Sequence, residues 1–262
     1  MSGLLAGRTI LVAGVLNEHS LAYAAARAVE EHGGRTVLTC FQRPGLVARA
    51  AARLVSKPPV IPLDVTDERD LAALADRLRP HTDRLDGVVH AVGWAPRPCD
   101  YPGFARADWA HAGPVLRVSA HSLAALTTAA LPLMPGPGSV VGLDFDSSRA
   151  WPGYDWMGVA KAALAATARY LAAELGPRGI RVNLVSCGPV RTVSAHGEPH
   201  FGEIAGEWTA RAPLGWDVRD PAPVGDACVA LLSDLLASTT GTVIHVDGGA
   251  HAVGMRSGDS GG

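Results

Sequence analysis

The segment TILVAGVLNEHSLAYAAARAVEEHGG, residues 9–34, predicts a β-strand, a glycine turn and an α-helix in immediate succession. Residues 9–15 are almost all apolar, which is typical of a strand covered on both faces of a parallel sheet. An alanine-rich helix over residues 21–32 follows, and Gly33-Gly34 ends it. A strand–turn–helix unit of this kind is the repeating element of an α/β fold.

The same alternation continues along the chain. Predicted strands cover residues 9–15, 35–40, 60–63, 87–91, 139–143, 181–186 and 242–246, and the longest predicted helix covers residues 154–175. Alternation of this kind implies right-handed crossovers between parallel strands. The sequence therefore predicts a single-domain, Rossmann-like α/β fold, a doubly wound parallel sheet of about seven strands with helices on both faces. The domain is expected over residues 1–254, with a flexible tail over residues 255–262.

Composition excludes several classes of protein. The 262 residues are 48% apolar and 18% charged, with a net charge of −2. That balance argues against a disordered chain and against a nucleic-acid partner. We expect no membrane partner, because no apolar run approaches the roughly 18 residues of a spanning helix, and no signal peptide. The scattered cysteines predict a reduced, cytoplasmic protein without a metal site; they are Cys40, Cys99, Cys187 and Cys228.

The turn after the first strand is a candidate phosphate site. Gly14 allows a tight turn and close backbone approach. Ser20 is placed to cap the helix that begins at Leu21, whose free N–H groups could hold a pyrophosphate. A plain strand–helix turn is at least as consistent with these residues, because the G-x-G-x-x-G motif is absent.

Two further strand ends bear on an adenosine group. Asp64 follows the third strand, where its carboxylate could accept from an adenine amine, although a helix-capping role fits equally well. No acidic residue ends the second strand to bind a ribose hydroxyl, and Arg43 there would suit a phosphate. These residues alone leave NADH and NADPH open.

Tyr154 and Lys161 form the most informative pair. A spacing of seven is about two helical turns, so both side chains share one face of a helix. An ammonium group makes a nearby phenol easier to ionise, and the phenol can then donate its proton to a developing oxyanion. The lysine could also hold a cofactor ribose. Of the 23 basic residues only Lys57 and Lys161 are lysine, which argues against an ordinary surface pair.

Three segments carry a resemblance to a known family. They are GLDFDSSRAWPGYDWMGVAKAAL (142–164), RVNLVSCGPVRT (181–192) and RAPLGWDVRDPAPV (211–224). The chain resembles the NADH-dependent enoyl-acyl-carrier-protein reductases, a divergent branch of the short-chain dehydrogenase/reductases, and within them the actinobacterial enzymes. The resemblance extends to about residue 254. It implies a homotetramer that uses NADH as cofactor to reduce the trans-2 double bond of an enoyl thioester. The substrate would be carried on acyl carrier protein or CoA, in fatty acid or related acyl-chain biosynthesis.

The resemblance also implies roles for individual residues. Tyr154 would be the proton donor, Lys161 would bind the nicotinamide ribose, and Phe145 would pack at the hydride-transfer site. The cofactor would be bound by Gly14, Ser20, Leu21, Phe41, Asp64, Val65, Ala91, Val92, Gly93, Lys161, Gly188, Pro189, Val190 and Thr192. The acyl group would be bound by Trp94, Leu143, Met157 and Trp216, under a lid over residues 192–211. No metal ligand is implied.

Some residues depart from the family pattern. Ala91 stands where related enzymes often carry a serine. The lid is shorter than in the mycobacterial enzyme, which favours shorter acyl groups. Its acidic residues Glu198, Glu203 and Glu207 do not suit an acidic carrier protein. A dedicated carrier, or a reductase of a specialised-metabolite pathway, fits equally well.

Two alternative functions stay open on the sequence. One is a short-chain dehydrogenase/reductase acting on a carbonyl or on a pathway intermediate, although residues 140–143 lack the hydroxyl that carbonyl reductases use. The other is a non-catalytic nucleotide-binding regulator, against which the intact Tyr154–Lys161 pair argues.

Overall fold

Seven parallel strands form a single sheet in the computed structural model, which describes residues 3–96, 103–192 and 200–254. In chain order the strands are β1 (Thr9–Ala13), β2 (Arg35–Cys40), β3 (Val60–Pro62), β4 (Gly87–His90), β5 (Gly138–Asp144), β6 (Ile180–Cys187) and β7 (Val243–Val246). Their spatial order is β3-β2-β1-β4-β5-β6-β7, and every neighbouring pair is parallel. The predicted fold class is confirmed; the expected tail over residues 255–262 lies outside the described residues.

The helices connect successive strands. Among the described residues they are α1 (Leu21–Glu31), α2 (Pro44–Ala51), α3 (Glu68–Ala72), α4 (Leu74–Leu78), α5 (Trp109–Leu116), α6 (Ser122–Ala130), α7 (Asp155–Leu175), α8 (Phe201–Arg211) and α9 (Ala222–Leu232). A π-helical turn, Arg117–His121, joins α5 to α6. Short 3₁₀ turns cover Phe104–Arg106, Leu131–Leu133, Gly176–Arg178, Asp234–Leu236 and Ala250–Ala252. None of the helices described is long and apolar enough to cross a bilayer.

Two hydrophobic layers cover the sheet. In β1, Ile10 and Val12 face the layer that contains α1 and α9, whereas Leu11 and Ala13 face the layer that contains α6 and α7. All four side chains are fully buried. Burial on both faces explains why the strands read as continuous apolar runs rather than as alternating patterns.

The order of the strands reverses between β1 and β4. From β1 the chain adds β2 and β3 on one side of the sheet, and then returns to place β4 and its successors on the other side. Ligands of doubly wound sheets bind beyond the carboxyl ends of the strands at such a reversal. A ligand site is therefore expected among the residues that follow β1, β4, β5 and β6.

Candidate active site

A cavity of about 270 Å³ opens at this point of the sheet. Most of the residues singled out from the sequence line it: Gly14, Ser20, Leu21, Ala91, Val92, Gly93, Leu143, Phe145, Tyr154, Met157, Lys161, Gly188, Pro189, Val190 and Thr192. They come from the carboxyl ends of four strands and from the start of α7. Segments far apart in sequence thus meet in one wall.

A larger groove, of about 610 Å³, lies at the opposite edge of the sheet. Three of its four arginines are paired with carboxylates: Arg8 with Asp234, Arg79 with Asp76, and Arg84 with Asp86. The groove is at the amino ends of the strands, away from the reversal of strand order. Ligands of this fold bind at the other edge, so the smaller cavity is the candidate active site.

Gly14 brings the first strand close to the fourth. Its φ is +105°, and a Cβ there would lie 2.2 Å from the carbonyl oxygen of Ala91. A side chain would therefore clash with backbone and would also strain the dihedral angle. The predicted tight turn is present, and it shapes the floor of the cavity.

Ser20 does not cap α1 in the way the sequence suggested. It occupies the N-cap position, but its hydroxyl donates to the carbonyl of Asn17 at 2.7 Å and makes no hydrogen bond to the helix amides. The hydroxyl is instead used to close the loop before the helix. The first turn of α1, at Leu21 and Ala22, borders the cavity without a side-chain cap. The positive end of the helix dipole therefore lies at the cavity, where it would favour an anion.

Tyr154 and Lys161 both line the cavity, as their spacing predicts. Tyr154 lies immediately before α7, between Gly153, whose φ is +69°, and Asp155, whose φ is +38°. Positive φ at a non-glycine residue is uncommon and tends to mark a functional position. This turn places the phenol over the cavity, and the first two turns of α7 then carry the chain to Lys161.

Lys161 is buried, with 8% of its surface exposed. Its Nζ donates to the carbonyl oxygen of Leu143 at 2.9 Å. Burial lowers the pKa of the ammonium, and the charge of Asp144 opposes that shift. Two donor hydrogens remain for other partners, so Lys161 can hold a hydroxyl group in the cavity.

Phe145 belongs to an aromatic cluster beside Tyr154. Its ring centroid is 4.9 Å from that of Tyr154, 5.1 Å from that of Trp208 and 5.7 Å from that of Trp151. Trp208 is buried, and its indole donates to the carbonyl of Asp247 at 3.1 Å. The cluster gives the reacting end of the cavity an apolar, firmly packed wall.

The sequence analysis missed two titratable residues of the wall. Asp144 ends β5, with 5% of its surface exposed, and burial raises the pKa of its carboxyl to about 6. Cys187 ends β6, and burial raises the pKa of its thiol to about 11. The sequence did contain a sign of Asp144: a carboxylate at the carboxyl end of an otherwise apolar strand. The predicted reduced state holds for the described cysteines, Cys40, Cys187 and Cys228, which are free.

Three predicted cofactor residues lie outside this cavity. Phe41 follows β2 with 54% of its surface exposed, and Asp64 and Val65 follow β3. The Asp64 carboxylate accepts from Thr66 N at 2.8 Å and from Thr66 Oγ1 at 2.7 Å, which closes a turn. The cap of the next helix is Asp67, so the alternative role of Asp64 as that cap is wrong. Its role towards adenine stays a prediction.

Two predicted acyl-pocket residues also lie outside the cavity. The indole of Trp216 donates to the carbonyl of Pro189 at 2.8 Å, and a Cβ on Gly188 would lie 2.6 Å from the Trp216 ring. Trp216 thus supports the Gly188-Pro189 turn, and its contact with the acyl group stays a prediction. Trp94 is half-exposed, and its backbone N and O are hydrogen-bonded to Ser119 Oγ. Leu143 and Met157 do line the cavity.

The start of α8 closes one side of the cavity. His200, Phe201 and Ile204 line it. A Cβ on Gly153 would lie 2.4 Å from the His200 ring, so the predicted lid packs directly on the turn that precedes Tyr154. The rest of the expected lid, residues 193–199 with Glu198, lies outside the described residues.

The family model and the individual relatives that match this chain all describe the same kind of enzyme. A sequence model described as "Enoyl-(Acyl carrier protein) reductase" matches residues 14–251. The chain is 44% identical to the enoyl-[acyl-carrier-protein] reductase [NADH] of Mycolicibacterium smegmatis and 43% identical to that of Mycobacterium avium, over 95% of this chain and 98% of each relative. It is 38% identical to the enoyl-[acyl-carrier-protein] reductase [NADH] FabI of Neisseria meningitidis, over 94% of this chain and 96% of the relative.

Proposed function

The chain belongs to the enoyl-(acyl carrier protein) reductase family, and we propose that it reduces the trans-2 double bond of an enoyl thioester with NADH. The observation that carries the proposal is that Tyr154, Lys161 and the uncapped first turn of α1 line the same cavity. A phenol, an ammonium group and a helix N-terminus are the groups needed to bind a dinucleotide and to stabilise an oxyanion.

The described residues fit NADH. The amide groups at Leu21 and Ala22 would hold its pyrophosphate. Lys161 would hold the nicotinamide ribose, and the backbone at Val190 would face the nicotinamide amide, with Ala91, Val92, Gly93 and Thr192 along the remaining wall. Phe41, Asp64 and Val65 would contact the adenosine end. When bound, NADH supplies the hydride that reduces the β-carbon of the substrate.

Tyr154 would act on the thioester oxygen. Hydride addition to the β-carbon moves negative charge onto that oxygen, and the phenol hydroxyl would meet it with a hydrogen bond or a proton. A donor that is already in place costs little reorganisation, so electrostatic stabilisation of this kind is a large share of catalysis. Phe145, 4.9 Å from Tyr154 between ring centroids, would keep water from the reacting atoms.

The acyl chain would lie between Met157, Leu143 and the start of α8. Ile204 and Phe201 line the cavity there, and closure of this helix over the chain would exclude water. On α8 the exposed Glu203 and Glu207 would repel an acidic carrier protein, whereas Arg191 lies against the ring of Phe201 at the start of that helix. Acyl carrier protein is the carrier that the relatives' names state; for this chain, either that carrier or CoA is proposed.

We also propose a cytoplasmic homotetramer. Large apolar side chains are exposed on two neighbouring helices, Trp109 on α5 and Tyr170 on α7. Exposed aromatic side chains are typical of surfaces that bind another subunit.

Paired substrates test the activity. NADH oxidation is measured with a short trans-2-enoyl thioester, on CoA and on acyl carrier protein, and with the 3-keto thioester of the same length. The proposal predicts turnover of the enoyl substrate and little turnover of the ketone. Preference for the ketone would instead support carbonyl reduction, and NADH binding without turnover of either would support a regulatory role.

A further inference from the structure

Asp144 is a buried carboxylate whose hydrogen bonds are incomplete. Its Oδ1 has no hydrogen-bond partner among the residues that the structure describes, and the side chain lines the cavity. Asp247, also buried, is a useful contrast, because its two oxygens accept from the amides of Gly249 and His251 at 2.9 Å. An unsatisfied buried carboxylate is costly to keep. A residue that costs stability in the wall of an active site is a candidate for a role in the chemistry there.

Four titratable groups face Lys161 from the elements packed around it. Asp144 is on β5, Cys187 on β6, His90 on β4, and Tyr154 precedes α7. Burial raises the pKa of the Cys187 thiol to about 11, so the thiol is neutral near pH 7. Burial lowers the pKa of His90 to about 3, so the imidazole is neutral as well. The Asp144 carboxylate is therefore the negative charge that this surrounding offers Lys161.

The backbone at the end of β5 contacts both the ammonium of Lys161 and the thiol of Cys187. The ammonium donates to the Leu143 carbonyl, one residue before Asp144 in β5, while Cys187 Sγ lies 3.7 Å from the Asp144 carbonyl oxygen. The strand end, the thiol and the ammonium are thus packed together. Without a nearby negative charge, burial would drive Lys161 towards its neutral form, because a low-dielectric surrounding penalises the charge.

We propose that Asp144 is a positioning residue that keeps the buried Lys161 charged and directed into the cavity. A neutral amine would be a weaker donor to a ribose hydroxyl than an ammonium group. The expected effect on cofactor binding rests on the proposed function. The effect of Asp144 on the charge of Lys161 does not.

The lysine content of the chain allows a direct test. Lys57 and Lys161 are the only lysines, so protein labelled with ¹³C-lysine gives two Cε signals, which the Lys57→Arg variant assigns. The Cε shift of Lys161 is followed against pH without cofactor in the parent, Asp144→Asn, Asp144→Ala and Asp146→Asn. Asp146 is the matched control, because it is equally buried but lies 3.5 Å from Arg149 Nε.

We expect both Asp144 variants to lower the pKa of Lys161 by roughly one unit, a tenfold change in its protonation equilibrium, and Asp146→Asn to leave it unchanged. An unchanged Lys161 pKa in both Asp144 variants would overturn the proposal. So would loss of folding in both, because the carboxylate would then be structural.

Cofactor affinity gives a second readout. NADH binding is measured by fluorescence across pH in the parent and in Asp144→Asn, with the alkaline loss of affinity expected at lower pH in the variant. In a Lys161→Arg background the guanidinium stays charged. There Asp144→Asn should not change the pH at which NADH affinity falls. If Asp144→Asn shifts the pH of this affinity loss equally with lysine and with arginine at position 161, Asp144 does not act through Lys161. Failure of enoyl reduction alone would leave the lysine titration intact and would count only against the proposed function.

Discussion

The ammonium of Lys161 donates a 2.9 Å hydrogen bond to the carbonyl of Leu143, which ties the second turn of α7 to the end of β5. This bond holds the lysine in the cavity wall before any ligand arrives. The cost of ordering a flexible side chain is thereby met during folding, and a ligand that binds Lys161 does not have to meet it again.

Lys161→Ala should weaken NADH binding by roughly 10- to 100-fold, the value of a hydrogen bond to a charged donor. Dissociation constants from fluorescence titration measure the effect. Lys57→Ala is the matched control, since Lys57 is exposed and outside the cavity. Parental affinity in the Lys161 variant would remove the lysine from the cofactor site.

Tyr154→Phe should lower kcat by roughly 10²-fold and leave NADH affinity near the parental value. The phenol acts on the oxyanion of the transition state, so its removal affects the chemical step more than binding. Steady-state rates and NADH titrations separate the two effects. An unchanged kcat would assign the oxyanion to another donor.

Gly14→Ala should both destabilise the protein and abolish NADH binding, because the new Cβ would meet the Ala91 carbonyl oxygen at 2.2 Å. The strained φ and the clash together should cost about 2–3 kcal/mol. Gly45→Ala is the control, as a Cβ there has nothing within 4 Å. Urea denaturation gives the free energy of unfolding of both variants. Equal values would show that the turn at residue 14 accommodates a Cβ by a local backbone shift.

Ile204→Ala should raise KM for enoyl thioesters by roughly 5- to 150-fold, because Ile204 lines the cavity and the variant loses roughly 1–3 kcal/mol of apolar contact with the acyl chain. KM for NADH should stay the same. Glu207→Ala, an exposed position on the same helix, is expected to change neither constant. Equal increases for both ligands of the Ile204 variant would make α8 a structural element rather than an acyl contact.

Asp144 should make stability depend on pH in the acid range. Its folded pKa of about 6 lies above the ordinary 3.8, so its favourable contribution is complete below pH 3.8 and is lost as the pH rises to about 6. At about 1.4 kcal/mol per unit the loss is about 3 kcal/mol. Relative to Asp144→Asn, the parent should therefore lose this much free energy of unfolding between about pH 4 and pH 7. If the difference in free energy of unfolding between the parent and Asp144→Asn does not change with pH, burial does not raise the pKa of Asp144.

The sequence predicted the fold well because its signals were local. Continuous apolar runs identified all seven strands, and the seven-residue spacing brought Tyr154 and Lys161 to one cavity. Gly14 was also interpreted correctly, since a glycine between a strand and a helix needs no tertiary information to suggest a tight turn.

Other roles depended on contacts between distant segments. The Ser20 hydroxyl could accept from the helix amides or donate to the preceding loop, and in the structure it donates to the carbonyl of Asn17. Trp216 hydrogen-bonds to Pro189, 27 residues away, which no spacing rule could reveal. Asp144 looked like the end of a strand, and its incomplete hydrogen bonding became visible only once β5, β6 and α7 were packed together.

The transfer of deuterium to the product tests enoyl reduction most directly. The protein is incubated with a short trans-2-enoyl thioester and NADH carrying deuterium at C4 of the nicotinamide, and the product is analysed by mass spectrometry and NMR. We expect a saturated thioester with one deuterium on its β-carbon, formed roughly 10²-fold more slowly by Tyr154→Phe. Recovery of unreduced enoyl thioester, while a ketone of the same length yields a deuterated alcohol, would contradict it.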